Sequence, residues 1–199
     1  MKLFYSPGAC SLASHIVLQE IGTPFETEKV DIRAKKTESG ADYFAINPRG
    51  AVPALEISTG NVLTQGAAIL QYVGDQSNIA AFKPAAGSLE RARLQEAIGV
   101  VGDLHKAFSA LYKPNLTDEA KTQVVAEITW RMTQLEAMLP ADGTYLLGEY
   151  TQADAYAFTV VNWSRSLIDL AAFPRISALM GAVGARPATL AALKAEGLI

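Results

Sequence analysis

The stretch Lys2-Leu-Phe-Tyr-Ser-Pro-Gly-Ala-Cys-Ser11 predicts a strand, a turn and the start of a helix in direct succession. Its first part is a short apolar run typical of a strand, and Pro7-Gly8 is a turn signal. Apolar residues then recur at helical spacing as far as Gly22. Cys10, the only cysteine of the chain, therefore lies at the first turn of a helix. The helix dipole at that position favours thiolate over thiol.

The composition is that of a globular protein with a substantial hydrophobic core. The chain has 199 residues, of which 50% are hydrophobic and 19% charged, with a net charge of −3. This balance gives no electrostatic support to a nucleic-acid or membrane-surface partner. One cysteine cannot form an internal disulfide, no secretory h-region is present, and no run approaches the ~18 apolar residues of a membrane span. We expect a cytoplasmic protein.

Two regions of different periodicity follow one another. In residues 1–78 the predicted elements come in the order β-α-β-α-β-β-α, with a hairpin around Thr59-Gly60. This order predicts a small mixed sheet with helices on both faces. In residues 88–199 the pattern is helical throughout, and Thr151-Gln-Ala-Asp154 is a capping-box variant that opens a helix over about 152–170. The sequence thus predicts an α/β domain over 1–78 and an all-helical domain over 88–199.

Two short segments of the first region have the residue types of a binding edge. Val52-Pro53 precedes the predicted third strand, where proline marks a turn or, alternatively, forms a cis bond that presents the Val52 backbone to a peptide. Gln65-Gly66 opens a helix, and helix N-termini suit a carboxylate. The alternative interpretation is that the helix starts at Gln65-Gly66 and at Cys10 are ordinary capped helix ends without a binding role.

The histidines give a weaker signal than these segments. No histidine pair has metal-ligand spacing and no Cys-x-x-Cys is present, so the sequence predicts no metal site. Neither a nucleophile elbow nor a glycine-rich phosphate motif occurs. We interpret His15 as a surface or capping group. His105-Lys106 lies within the first long helix of the second region.

Several separated stretches, in the same order along the chain, strongly resemble the bacterial beta-class glutathione transferases. They are Met1–Ser11, Lys35–Gly40, Asn47–Leu55, Leu63–Gly66, His105–Phe108 and Thr151–Asp154. The resemblance covers the whole chain and implies a thioredoxin-like α/β N-terminal domain, an all-α C-terminal domain and a homodimer. It also implies a detoxification enzyme that joins glutathione, its co-substrate, to hydrophobic electrophiles and holds no tightly bound cofactor.

The resemblance also assigns roles in the first domain by position. Cys10 is the family's thiol, able to form a mixed disulfide with glutathione. Lys35 meets the glycyl carboxylate of glutathione, and Val52, held by a cis Pro53, pairs its backbone with the cysteinyl unit. The γ-glutamyl end is held by Gln65-Gly66.

In the second domain the resemblance implies a smaller set of residues. His105 and Lys106 approach the glutathione sulfur or the bound peptide. Tyr112 and Trp163 are the walls of an electrophile pocket. The residue that activates the sulfur stays open, because Tyr5 and Ser11 stand near positions that other classes of glutathione transferase use, beside Cys10 itself.

One departure from the family bears on affinity. Glutamate followed by serine is usual where this chain has Gln65-Gly66. Glutamine lacks the charge that would pair with the ligand's ammonium group. A hydrogen bond to a charged group is worth roughly 1.5–3 kcal/mol and a neutral one about 1, so glutathione affinity is expected to fall roughly ten-fold. The departure keeps open a second function, a non-catalytic or weakly glutathione-binding protein that binds apolar ligands.

Overall fold

The computed structural model describes residues 1–141 and 144–199. These residues group into two compact units, one made of residues 1–83 with 185–199 and the other of residues 84–184. No single described helix is long and apolar enough to cross a membrane. Each unit has its own set of buried residues.

The first unit is a mixed sheet with helices. Its elements before residue 83 are β1 (Lys2–Tyr5), α1 (Ser11–Ile21), β2 (Glu26–Asp31), β3 (Lys36–Thr37), α2 (Tyr43–Ile46), β4 (Ala54–Ser58), β5 (Asn61–Thr64) and α3 (Gly66–Asp75). The strand order is β3-β2-β1-β4-β5. Strands β1 and β2 are parallel, and the other neighbouring pairs are antiparallel. The predicted thioredoxin-like domain is confirmed, with the short strand β3 as an addition.

The sheet has helices on both faces, as the sequence predicts. Side chains alternate along β1, because successive residues of a strand point to opposite faces. Phe4 packs with Tyr43 of α2, with their ring centroids 6.0 Å apart. The next residue, Tyr5, packs on the other face against His15 of α1, at 5.7 Å. Helix α1 ends at Gly22, whose φ of +66° is the left-handed conformation that favours glycine at a helix end.

The second unit contains helices and no strand among its described residues. Its α-helices are α4 (Leu89–Ser109), α5 (Asp118–Met138), α6 (Gln152–Asn162) and α7 (Pro174–Gly184). Helix α4 packs against both α5 and α6, and α6 packs against α7. The predicted capping box at the start of α6 is confirmed.

Helix α6 is shorter than the predicted span of 152–170. It ends at Asn162 and continues as a 3₁₀ turn over Trp163–Ser166. The hydroxyl of Ser164 donates to the carbonyl oxygen of Val161 at 2.7 Å. Because this bond offers the backbone an alternative to the helical ladder, the helix ends where the serines begin.

The last helix, α8 (Pro187–Ala195), differs from the domain prediction of 88–199. It groups with the first unit and packs along α1. The guanidinium of Arg186 donates from Nη2 to Oε2 of Glu20 at 3.0 Å and from Nε to Oε1 at 2.5 Å. This bidentate ion pair attaches the start of α8 to α1.

Candidate active site

The segment before β4 brings the only cysteine against a cis proline. The Val52–Pro53 bond is cis, as the second interpretation of that segment predicted. The Cys10 thiol donates to the carbonyl oxygen of Val52, with a sulfur–oxygen distance of 3.1 Å. Residues 42 positions apart in sequence therefore form one local arrangement.

The two carbonyls before Val52 are held in the same way by side chains. Lys35 Nζ donates to the Gly50 carbonyl oxygen at 2.7 Å. The Ala51 carbonyl oxygen accepts from the Tyr43 hydroxyl at 2.9 Å and from Asn47 Nδ2 at 2.6 Å. Hydrogen bonds to two consecutive carbonyls thus fix the backbone that leads into the Val52–Pro53 bond. An ammonium group has three donors, so the bond to Gly50 leaves Lys35 with capacity for a carboxylate.

The predicted helix starts lie at one edge of the sheet. Strands β1 and β5 are both antiparallel to β4, so their carboxyl ends lie at the same edge. Helix α1 follows β1, with Cys10 at its N-cap position, and α3 follows β5, with Gln65 at its N-cap position. A Cβ atom placed on Gly66 would lie 3.9 Å from Pro53 Cγ, which is ordinary van der Waals contact. The structure therefore brings Cys10, the cis proline and Gln65-Gly66 to one edge.

Gln65 has an unusual backbone conformation for its residue type. Its φ is +75°, in the region that favours glycine. Its carbonyl oxygen accepts from Ala68 N at 3.1 Å and Ile69 N at 3.0 Å, so the residue is fixed as the first turn of α3. The side chain is exposed at the sheet edge. Strained backbone of this kind concentrates at binding sites.

The ionisation of Cys10 contradicts the expectation from the helix dipole. The backbone N–H groups of Cys10 and Ser11 act in the expected direction and lower the pKa of the thiol. Burial acts in the opposite direction and is the larger effect, so the pKa rises to about 11. The residue keeps part of its surface exposed, yet its sulfur is a thiol at neutral pH. The sequence prediction of a thiolate is therefore wrong.

Two of the residues that the sequence left open as activating groups are committed elsewhere. The fully buried Ser11 hydroxyl donates to the Ser6 carbonyl oxygen at 3.2 Å and accepts from the Ser6 N–H at 3.1 Å. Tyr5 is buried with its ring against His15, and burial is the main cause of its raised pKa. Both side chains stabilise the fold around β1, which leaves Cys10 as the candidate of that group.

His15 is not the surface or capping group that we inferred from the sequence. It is 1% exposed, and its Nδ1 lies 2.9 Å from Oε1 of Glu196. The second carboxylate oxygen of Glu196 accepts from the Gly8 N–H at 2.9 Å. Glu196 thus fixes the turn that precedes Cys10, and no local pattern predicts its contact with His15, because the two residues lie 181 positions apart in the sequence.

The second unit places its candidate residues in two different environments. His105 is partly buried beside Trp163, with ring centroids 5.1 Å apart, and Trp163 packs at 5.6 Å against Phe108. Lys106 is exposed, and Tyr112 is 83% exposed in the 3₁₀ turn after α4. His105 and Trp163 therefore belong to one aromatic cluster. The pairing of Tyr112 with Trp163 as pocket walls rests on the resemblance alone.

The described residues contain no group of three or more histidine, cysteine, aspartate and glutamate side chains placed to hold a metal ion. The groups that the candidate residues offer are a thiol and backbone N–H groups at one sheet edge and an imidazole in the helical cluster.

Comparisons with known proteins decide the family. A model of the glutathione S-transferase N-terminal domain matches residues 8–76. The chain is 40% identical over 201 residues to glutathione S-transferase GstA of Escherichia coli O157:H7, covering 100% of both sequences. The chain belongs to the glutathione S-transferase family.

Solved structures place it more closely within the glutathione S-transferases. A beta-class glutathione S-transferase of Sphingomonas chungbukensis matches with 43% identity and a TM-score of 0.94, over 100% of both chains. A sphingomonad glutathione S-transferase solved with glutathione matches with 43% identity and a TM-score of 0.93, also over 100% of both chains. The predicted beta class, fold and enzyme class are confirmed, with glutathione as co-substrate.

The structure shows whether packing requires the residues found at positions 65 and 66. The backbone at Gly66 has ordinary space for a side chain, since an added Cβ would meet Pro53 only at 3.9 Å. A serine is therefore compatible with the fold at this position. The exposed Gln65 side chain is likewise not required for packing. The fold therefore does not by itself require glutamine at position 65 or glycine at position 66.

Proposed function

We propose that this glutathione S-transferase joins the sulfur of glutathione to small hydrophobic electrophiles at the edge formed by Cys10, Val52-Pro53 and Gln65-Gly66. The observation that carries the proposal is that the Cys10 sulfur, the Val52 backbone and two helix N-termini lie at one edge of the sheet. This arrangement offers backbone groups to a peptide and N–H groups to a carboxylate. Glutathione is a peptide with two carboxylates, so its chemistry matches both.

The binding roles follow from the groups that the edge offers. The Val52 backbone pairs with the cysteinyl unit as an added strand would. The N-terminus of α3 at Gln65-Gly66 accepts the γ-glutamyl carboxylate. Lys35, already directed towards this backbone by its bond to Gly50, binds the glycyl carboxylate. Positive φ values at both Lys35 (56°) and Gln65 (75°) support the assignment, since such strain is typical of binding sites.

The reaction needs a donor that stabilises sulfur as an anion. Glutathione loses its thiol proton, its sulfur attacks an electrophilic carbon, and the new C–S bond forms as the leaving group departs with its electron pair. We assign the N–H of His105 as a donor to that sulfur, with Lys106 adding positive charge. The S–H of Cys10 is a second donor when it turns from the Val52 carbonyl to the glutathione sulfur. The cluster of His105, Trp163 and Phe108 supports an apolar surface for the electrophile, with Tyr112 as a further wall.

A second activity is thiol–disulfide exchange through Cys10. The contact of the Cys10 sulfur with the Val52 carbonyl favours it, because this carbonyl is where the cysteinyl unit of glutathione is proposed to bind. The Cys10 thiolate would attack one sulfur of oxidised glutathione, forming a mixed disulfide and releasing one glutathione as thiolate. We place this activity second, because Cys10 is a thiol at neutral pH.

We further propose a homodimer that acts in detoxification in the cytoplasm. The resemblance to the beta class supports all three. Light scattering after size-exclusion chromatography tests the oligomeric state directly. A single species of about 42 kDa, twice the 21.2 kDa chain, is expected, and a 21.2 kDa species contradicts the dimer.

The His105→Ala variant tests the donor role in conjugation. Turnover of glutathione with a generic aryl halide is expected to fall about ten- to a hundred-fold, because a hydrogen bond to a charged group is worth roughly 1.5–3 kcal/mol. Glu96→Ala is the control, since Glu96 lies exposed on the same helix and pairs with Arg93. Unchanged turnover in His105→Ala, with normal glutathione binding, would show that the imidazole has no such role.

The Gln65→Glu variant tests the γ-glutamyl site. The dissociation constant of glutathione, measured by calorimetry, is expected to fall about ten-fold, because a carboxylate pairs with the ligand's ammonium group. Gln71→Glu makes the same charge change further along α3 and is expected to leave the constant within about two-fold. Equal effects of the two variants, or none at Gln65, argue against this site.

A further inference from the structure

The geometry points to Tyr156 as a positioning residue for His105: its phenol fixes the imidazole tautomer that carries the proton on Nε2. The inference deepens the donor role of His105 proposed above and rests on it for its catalytic consequence. The tautomer itself is a property of the protein that can be measured without substrate.

The two side chains are joined across two helices. The Tyr156 hydroxyl on α6 lies 2.7 Å from His105 Nδ1 on α4. Their rings are nearly perpendicular, at 87°, with centroids 5.9 Å apart. Tyr156 is 6% exposed, so its ring has little freedom to leave this position. The distance is that of a full hydrogen bond between the phenol and the ring nitrogen.

The direction of this hydrogen bond follows from the chemistry of the two groups. Burial lowers the pKa of His105, so the imidazole is neutral at and above neutral pH. A neutral imidazole has one N–H and one lone pair. A phenol is a good donor and a poor acceptor, whereas an imidazole lone pair is a strong acceptor. The Tyr156 O–H therefore donates to Nδ1, and the imidazole proton resides on Nε2.

The rotation of the imidazole is restricted as well. The Trp163 ring packs against it at 5.1 Å and an angle of 68°, and Phe108 supports Trp163 at 5.6 Å. A ring held by Tyr156 on one nitrogen and by Trp163 on its side presents the other nitrogen in one direction. That nitrogen carries an N–H, which is the group that the proposed donor role of His105 requires. The opposite tautomer would present a lone pair and would repel an anionic sulfur.

The first test reads the tautomer in the unmodified protein. The sequence has two histidines, so ¹⁵N-histidine labelling gives two ring systems, and His105→Ala identifies which one belongs to residue 105. In a two-bond ¹H–¹⁵N spectrum at about pH 8, Nδ1 of His105 is expected to have the shift of an unprotonated nitrogen and Nε2 that of a protonated one. A protonated Nδ1 would overturn the inference whatever the activity.

The second test removes the phenol alone. Tyr156→Phe is expected to bring the two His105 nitrogen shifts towards each other, since neither tautomer is then fixed. It is expected to lower kcat about three- to ten-fold, the value of one hydrogen bond, with KM for glutathione within about two-fold. Tyr145→Phe, whose ring packs on Tyr150, is the matched loss of a phenol and leaves both readouts unchanged. Nitrogen shifts that do not move in Tyr156→Phe would overturn the inference.

The double variant separates a positioning role from a direct one. If Tyr156 acts only through His105, His105→Ala with Tyr156→Phe has the kcat of His105→Ala alone. A further loss in the double variant overturns the positioning role. The proposed function fails separately, when His105→Ala keeps full turnover while the tautomer is as expected. Melting temperatures of all variants distinguish these outcomes from loss of folded protein.

Discussion

Alkylation of Cys10 by iodoacetamide is expected to accelerate about ten-fold for each pH unit between about pH 7 and pH 10. The pKa of the thiol is about 11, so the reactive thiolate is roughly one molecule in ten thousand at pH 7. The rate follows this fraction until the pH approaches the pKa. Because Cys10 is the only cysteine, the alkylated mass reports this one residue without any variant.

The physical reason is a competition between two effects at a helix start. The N–H groups of Cys10 and Ser11 stabilise a negative sulfur, and burial destabilises it by removing water. A helix N-terminus typically contributes about 0.3–1 kcal/mol, whereas burial of a charge contributes several times more. The hydrogen bond from the thiol to the Val52 carbonyl also stabilises the protonated form of Cys10, because a thiolate has no proton to donate there.

Glutathione itself is the control thiol for the alkylation profile. Its rate is expected to level off near its ordinary pKa, about two pH units before that of Cys10. A Cys10 profile that levels off below about pH 9, with the circular dichroism unchanged, contradicts the raised pKa. The raised pKa of Cys10 also predicts slow formation of a mixed disulfide with oxidised glutathione at pH 7, because little thiolate is present. No mass gain of the protein even near pH 9 would argue against the thiol–disulfide activity.

The sequence predicted those parts of the site that depend on neighbours along the chain. The turn at Pro7-Gly8, the helix start at Cys10, the hairpin of β4 and β5 and the segment before the cis Pro53 all have local signals. Strand β3 was missed, because Lys36 and Thr37 are too few residues to show a period and are defined by pairing with β2.

The parts that the sequence did not predict depend on distant residues. His15 was interpreted as a surface or capping group from its place one turn after Ser11, whereas its partner, Glu196, lies in a segment that the helical pattern assigned to the second domain. The pKa of Cys10 depends on the atoms that surround its sulfur, and no pattern along the chain reports them. Local patterns thus predicted where the groups are, and tertiary packing determined their ionisation and their partners.

Replacement of Asp154 by alanine is expected to lower the free energy of unfolding by about 3–5 kcal/mol. The carboxylate is fully buried, and its two oxygens accept from the Leu146 N–H at 2.8 Å and from the Thr151 N–H and hydroxyl at 2.8 and 3.1 Å. Alanine would leave these buried donors without an acceptor, at roughly 1–3 kcal/mol for each. Urea unfolding followed by circular dichroism measures the loss.

The loss of stability is expected at the start of α6, because the Asp154 side chain makes two sets of hydrogen bonds there. Asp154 closes the capping box with Thr151 and also holds the Leu146 backbone of the preceding segment. Thr151→Ser is the control, since the hydroxyl that accepts from the Ala153 N–H is retained and about one methyl group is lost. Its expected cost is about 1 kcal/mol. A cost of Asp154→Ala no larger than this would contradict the proposed importance of the carboxylate.

The pH dependence of the Asp154 contribution has a definite sign. Burial raises the pKa of this carboxyl from 3.8 to about 6 and outweighs the donors that lower it. Between these values the folded state binds more protons than the unfolded state, so the contribution is fully present below about pH 4 and is lost as the pH rises through 6. The difference in unfolding free energy between the unmodified protein and Asp154→Ala is therefore expected to be larger at pH 5 than at pH 7.5. Donors that dominated over burial would give the opposite trend, so the sign of the difference decides which of the two governs this buried carboxyl.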